Sequence, residues 1–355
     1  MKNKRLWMTA SLVCILLGAV LTAAGRLMGG QPGFYIDSNG VHAAGHVSKT
    51  EPLQASINLD EFDSMEIHAD YADVELNYSD EFAIEYRIIG AYGDPVCEVK
   101  NNRLTFQRTK PLKYYHVGFF TGFMDAAFSE PDYYIRVTIP KDTKLSEAVF
   151  DIESGNLDIS SIQADTLKIG DDYGDVSIGQ YDGKSLDISL ESGSLSLGTI
   201  NAAQTVLKSD YGRIDLSKAT GDSLLIQLES GDLQAERIDY SDTEITDDYG
   251  KVYITDALGG CFTAKMESGD CQIDRLDYSD TEITSSYGDV SLGLSDKIEN
   301  YGYNLKTEYG TIRLDNKNEG FDSAGGEAAY EAAGDSEKMI TIHCESGGIK
   351  LDSLK

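Results

Sequence analysis

Ile152-Glu153-Ser154-Gly155-Asn156-Leu157-Asp158-Ile159 is followed, 19 residues on, by Asp171-Asp172-Tyr173-Gly174-Asp175-Val176-Ser177-Ile178. Glu-Ser-Gly returns at 191–193, 229–231 and 267–269. The Tyr-Gly triplet returns as Asp210-Tyr211-Gly212, Asp248-Tyr249-Gly250 and Ser286-Tyr287-Gly288. From 153 to 288 the two triplets alternate without a slip. A fixed period of this kind marks a stack of near-identical units, each unable to bury its apolar face alone.

Counting each unit from its acidic residue as zero, position 4 reads Leu157, Val176, Leu195, Ile214, Leu233, Val252, Cys271 and Val290. Position 6 reads Ile159, Ile178, Leu197, Leu216, Ala235, Ile254, Ile273 and Leu292. Positions 9, 14 and 16 are mostly apolar as well. Apolar residues two apart, in short runs broken by Gly, Asp and Ser, mean short strands with one face inward. The pattern predicts an all-β parallel β-solenoid, wound as a right-handed β-helix, of about 19-residue coils stacked roughly 4.8 Å apart.

Residues flanking the triplets alternate too. Before Glu-Ser-Gly stand Ile152, Leu190, Leu228, Met266 and Cys344; before the Tyr-Gly triplets stand Asp171, Ser209, Asp247, Ser285 and Thr307. This complementarity predicts that each tyrosine ring fills a corner that an aliphatic side chain fills in the neighbouring coil; the rival is an exposed aromatic strip of Tyr173, Tyr211, Tyr249, Tyr287 and Tyr309 for stacking on sugar rings. On the corner-filling reading Ser154, Gly155, Tyr173, Gly174, Tyr211, Gly212, Tyr249 and Gly250 are structural turn residues, and Tyr211→Ser opens a cavity costing about 3 to 5 kcal/mol. Position 11 repeats the logic, with Gly183, Gly221 and Gly259 between Ala202, Tyr240 and Tyr278. The duplicated unit is then a 38-residue pair.

Outside the regular array the sequence changes character. Lys2, Lys4 and Arg5 precede an uncharged run from Leu6 to Gly25, about 30 Å long as a helix, and Arg26 follows. Residues 1–26 therefore predict a cytoplasmic basic tip and a transmembrane helix: a signal-anchor in the cell membrane, single-pass, with the N-terminus cytoplasmic and the bulk of the chain extracellular. A cleaved signal peptide, with Thr22-Ala23-Ala24 as the site, is the rival. Residues 27–55 read as a linker. Residues 56–144 read as a divergent, strand-rich N-terminal cap, in which Asp70-Tyr71-Ala72-Asp73-Val74-Glu75-Leu76 resembles a first copy of the repeat and an aromatic insertion occupies 110–131. Regular repeats run from 145 to 355, interrupted by a Gly-, Ala- and Glu-rich loop insertion at 316–338. Cys97, Cys261, Cys271 and Cys344 permit disulfides outside the cell without demanding them.

The formal net charge is −30, and every one of the 60 carboxylates lies at or beyond Asp37, against 26 of the 30 basic residues. Such an acidic protein repels nucleic acid. Acidic residues at position zero, among them Asp172, Glu191, Asp210, Glu229, Asp248 and Glu267, would stack close enough to repel by around 1 kcal/mol per pair even in water. Either each accepts backbone N–H bonds from its own turn, or together they form a cation ladder, with calcium as the candidate ion and no other cofactor or metal implied. No Ser/His/Asp set, phosphate-cradling loop or zinc spacing occurs, and the coils are too uniform to hold an obvious catalytic pair, so no enzyme is expected. The binding candidates are Tyr114, Tyr115, Phe119, Phe120, Phe123 and Phe128, an aromatic cluster that something must cover.

The anchor, the strand-rich start, Ile139-Pro140-Lys141-Asp142 and the recurrent Ser-Gly-x-Leu/Ile units resemble the putative-adhesin family of β-strand-repeat proteins of unknown function from Gram-positive bacteria. The resemblance covers roughly 57 to 354. It implies a β-solenoid ectodomain, an adhesin-like role and no catalytic residues. The expected function is a non-catalytic cell-surface protein, an adhesin or envelope scaffold that binds a cell-wall polymer, a host surface or a membrane protein. Envelope-stress sensing and a polysaccharide-active β-helix enzyme are the alternatives.

Overall fold

The computed structural model describes Gly18 and residues 33–37, 40–43, 52–90, 94–108, 115–118, 132–315, 317–319, 328–332 and 337–353. The chain divides into two units. The first takes in residues 1–52, 89–94 and 109–132; the second takes in 53–88, 95–108 and 133–355. In the first, Gly33–Asp37 pairs antiparallel with Gly40–Ala43 on one side and Tyr115–Gly118 on the other. The second is the repeat stack.

Within that stack each coil is a 17-residue strand: Val176–Ser192, Leu195–Tyr211, Ile214–Ser230, Leu233–Tyr249, Val252–Ser268 and Cys271–Tyr287. Neighbours pair in parallel at a shift of one period, so Val176, Leu195, Ile214, Leu233, Val252 and Cys271 lie directly above one another. Pairing is interrupted at Gly179, Lys184 and Glu191, and again at Gly198, Ala203 and Asp210 one coil on. The chain bends there. Positions 4, 6, 9, 14 and 16 are buried throughout the array, as the two-residue alternation requires.

The 38-residue pairing at position 11 is a packing device. Tyr240 and Tyr278 are buried, and each ring crosses a whole coil: Tyr240 Oη meets Thr205 Oγ1 at 2.7 Å and Tyr278 Oη meets Thr243 Oγ1 at 2.8 Å, both 35 residues apart. The coil crossed must be bare. A Cβ on Gly221 would come within 2.6 Å of the Tyr240 ring, and one on Gly259 within 2.7 Å of Tyr278. Burial pushes the Tyr240 hydroxyl up to about 12 and Tyr278 higher still, against the pull of the threonines.

Both ends of the stack depart from the repeat. Ser64–Ala69 and Asp73–Ser79 form the first coil, with Val74 beside Leu157 and Leu76 beside Ile159, so the divergent copy keeps the register. Val96–Lys100 and Arg103–Gln107 make a hairpin through Asn101 and Asn102, both at positive φ. Tyr134–Pro140 pairs in parallel with Asp73–Ser79 and antiparallel with Ala83–Ile88.

At the other end the order in space differs from the order in sequence. Met339–Ser346 and Ile349–Ser353 insert between the coil of 271–294 and the coil formed by Gly302–Tyr309 and Ile312–Leu314. The last unit of the chain is therefore the penultimate coil of the stack. Parts of the 316–338 segment, expected as a loop, are strands: Ala328–Ala332 pairs antiparallel with Gly302–Tyr309, and Lys317–Glu319 with Ile312–Leu314. They cover backbone groups that a terminal coil would otherwise expose.

The expected single-pass anchor, and the membrane localisation drawn from it, require correction. Among the described residues no helix is long and apolar enough to cross a membrane; of the Leu6–Gly25 run only Gly18 is described. Cys97, Cys261, Cys271 and Cys344 are free thiols, and burial pushes Cys271 and Cys344 up to about 12.

Candidate functional site: a tyrosine ladder beside an acidic ladder

Position 1, the middle of each triplet, forms a straight file down the stack. In spatial order it reads Tyr71, Ser154, Tyr173, Ser192, Tyr211, Ser230, Tyr249, Ser268, Tyr287, Ser346, Tyr309. Tyrosine and serine alternate without exception. In sequence order the alternation fails after Tyr287, because Tyr309 comes before Ser346. Insertion of the last coil restores it.

These tyrosines do not fill corners. Tyr71 is 50% exposed, and Tyr173, Tyr211, Tyr249, Tyr287 and Tyr309 are 62 to 68% exposed. The expected interleaving at this position is thereby corrected, and with it the cavity expected for Tyr211→Ser. The residue two before each tyrosine points inward itself: Asp171, Ser209, Asp247, Ser285 and Thr307 are buried, in line with Ile152, Leu190, Leu228, Met266 and Cys344. Two alternations thus run back to back, one polar and aliphatic inside, one aromatic and hydroxyl outside.

Position 2 is glycine in every coil from Gly155 on, because a Cβ there would collide with the carbonyl of the coil beneath. Gly193 and Gly269, at φ 134° and 136°, also need the freedom of glycine. The file beside the tyrosines is therefore bare backbone. Where it reaches the last coils it opens into a cleft of about 840 Å³ lined by Gly288, Asp289, Tyr309, Gly310, Gly347 and neighbouring residues.

On the other flank runs the acidic file, Glu153, Asp172, Glu191, Asp210, Glu229, Asp248, Glu267, Glu345 and Glu308, exposed or half-buried. Burial first, then the neighbouring Asp70, Asp172 and Asp151 carboxylates, hold Glu153 above its ordinary value. The position-3 aspartates are the ones that accept backbone N–H bonds. Asp175 accepts from Ser194, Asp232 from Lys251, Asp270 from Asp289, and Asp289 from Gly348, at 2.7 to 3.0 Å. Among the described residues no group of three or more His, Cys, Asp or Glu is disposed to hold a metal ion.

Asp171 and Asp247 are the carboxylates that sequence reasoning undervalued. They are 2% and 0% exposed, and neither oxygen of either has a well-formed hydrogen-bond partner. Burial raises both to about 7; the Tyr173 and Tyr249 backbone N–H groups pull weakly the other way. The signal was present, since position 16 is inward and position 18 must be as well. Of the aromatic candidates, Tyr114, Phe119, Phe120, Phe123 and Phe128 lie outside the described residues, and Tyr115 is described only as the start of a strand.

The model of the Toastrack DUF4097 family matches residues 62–352. The chain belongs to that family. Among solved structures, this Toastrack chain is similar to a putative lipid binding protein from Parabacteroides distasonis, with 15% identity over 86% of this chain and 98% of that one, at a TM-score of 0.41. It is also similar to a putative adhesin from Bacteroides fragilis, 13% identical over 86% and 98% at 0.33, and to one from Parabacteroides merdae, 14% identical over 86% and 97% at 0.35. No curated protein matches.

Proposed function

We propose that this protein is a non-catalytic, adhesin-like binding protein that holds an extended surface polymer along its tyrosine file. One observation carries the reading: six tyrosines stay exposed at every second coil from one end of the stack to the other, an alternation that survives the crossing of the last coil. Packing does not require it. Exposed aromatic rings at a regular spacing are a cost to solubility unless something covers them, and a file of rings matches a ligand that is itself long and periodic. The acidic surface makes nucleic acid an unsuitable partner.

A hydrolytic role finds no support in the same geometry. A catalytic acid needs a raised pKa and access to substrate; the two carboxylates held at about 7 are sealed inside the stack, which leaves Glu153 as the one raised carboxylate among the described residues that faces solvent. The test is to incubate the full chain with isolated cell-wall polymers and a glycan panel, scoring retained protein and released sugar ends. Retention without release is expected. Release would make the protein an enzyme, and the absence of any retention would defeat the polymer-binding reading.

A further inference from the structure

We infer that the tyrosine file is a binding site for a linear β-1,4-linked glycan of amino sugars carrying free amines, seated with one disaccharide per two coils. The inference rests on the polymer-binding reading above and names its ligand. Three features of the face lead to it.

The first is spacing. Neighbouring coils lie about 4.8 Å apart, so successive tyrosines are about 9.6 Å apart. That is close to the length of one disaccharide in an extended β-1,4-linked chain. Successive sugars of such a chain are turned over, so the same ring face recurs at every second sugar. A tyrosine in every second coil matches that recurrence, and the serine between leaves room for the turned sugar. From Tyr71 to Tyr309 the rise is about 48 Å, room for roughly ten sugars.

The second is relief. The glycine file beside the tyrosines cannot carry side chains, because any Cβ would strike the carbonyl below. A flat polymer can lie against that strip, and at the last coils the strip deepens into the cleft beside Tyr309.

The third is charge. The acidic file borders the tyrosines along the stack, with Glu or Asp in the position before each of Tyr71, Ser154, Tyr173, Ser192, Tyr211, Ser230, Tyr249, Ser268, Ser346 and Tyr309. Polyuronates and polyphosphates are repelled from such a border; amines are drawn to it and can also lie over tyrosine faces.

The experiment measures binding of β-1,4-linked glucosamine oligomers to the immobilised full chain, against their fully N-acetylated counterparts, cello-oligomers and polygalacturonate. Affinity for glucosamine oligomers should climb with length up to about ten sugars and then level off, and should weaken with salt. The double variant Tyr211→Ser, Tyr249→Ser copies residues already present in neighbouring coils, so its melting temperature should match the parent. It should bind roughly tenfold more weakly. Ser230→Tyr decides the register: a ring in the intervening coil should weaken binding, and unchanged or tighter binding would overturn the two-coil match. Equal binding of acetylated oligomers, or of polygalacturonate, would overturn the amine assignment. If polymer is retained by parent and double variant alike, the protein binds polymer but not along the tyrosine file, and this inference fails while polymer binding itself stands. If nothing is retained by either, that reading fails as well.

Discussion

Two series of tyrosines run through this stack, and they meet opposite fates. Tyr240 and Tyr278 lie inside, each crossing a coil whose glycine makes way, each bonded to a threonine two coils off. Tyr173, Tyr211, Tyr249 and Tyr287 share the same 38-residue period and stand more than 60% exposed. A shared period therefore does not mean a shared cause. The inner series repeats because three successive coils must supply Tyr, Gly and Thr in turn. No side-chain hydrogen bond or ring contact among the described residues explains the outer series, which is the reason to look for a ligand.

The contrast is sharpest in stability. Tyr278→Ala should cost about 3 to 5 kcal/mol, read as a lower midpoint in chemical denaturation, because the ring is buried and Thr243 Oγ1 loses its partner. A loss under 1 kcal/mol would erase the distinction between the two series.

The buried aspartates give the next largest effect. Their ordinary value is 3.8 and the fold raises it to about 7. Below 3.8 both are protonated whether the chain is folded or not. Between 3.8 and 7 the unfolded chain releases protons that the folded chain retains, so stability falls as pH rises and levels off above 7. At about 1.4 kcal/mol per pKa unit the loss approaches about 4 kcal/mol per site at pH 8. Asp247→Leu, which copies Leu228, should stabilise the protein at pH 8 and change little at pH 4. Equal gains at both values would show that the fold does not raise Asp247 above its ordinary value.

Smaller still is the effect at the inserted coil. Asp289 Oδ1 accepts the Gly348 N–H at 2.7 Å, and Asp289→Ala should cost about 1 to 2 kcal/mol. Faster hydrogen exchange in residues 346–353, with the rest of the stack unchanged, would locate the loss. Smallest is Tyr211→Ser, expected within about 0.5 kcal/mol of the parent in a melting curve. A drop of several kcal/mol would return the outer tyrosines to a packing role.

Much of this was legible in advance. Leu157 and its equivalents at position 4, with Ile159 and its equivalents at position 6, reveal strands, inward face and period, because alternation by two within a strand has one reading when half the residues are apolar. The divergent first copy at Asp70 to Leu76 was legible for the same reason, and it holds the register of Leu157 and Ile159. The outer tyrosines are ambiguous in the sequence, because the flanking complementarity suits a filled corner and because they lie next to a bend. Counting forward from the inward position 18 across the acidic corner turns position 1 inward, whereas counting back from position 4 turns it outward. The glycine at position 2 marks where the count from position 18 breaks, since a Cβ there would strike the carbonyl of the coil beneath.

The sequence by itself determined the coil, its length and its inner surface, since these follow from local alternation and from glycines that no other residue can replace. Only the tertiary structure decided the order of the last coils and the continuity of the tyrosine file. Residues 302–314 and 339–353 carry nearly interchangeable patterns, so nothing local says which lies against Cys271–Tyr287. The choice is made by the open edge of that coil, which takes Met339–Ser346, and by Ala328–Ala332, which pairs with the opposite side of Gly302–Tyr309. Pairing between distant segments places Ser346 between Tyr287 and Tyr309, and with it completes the face.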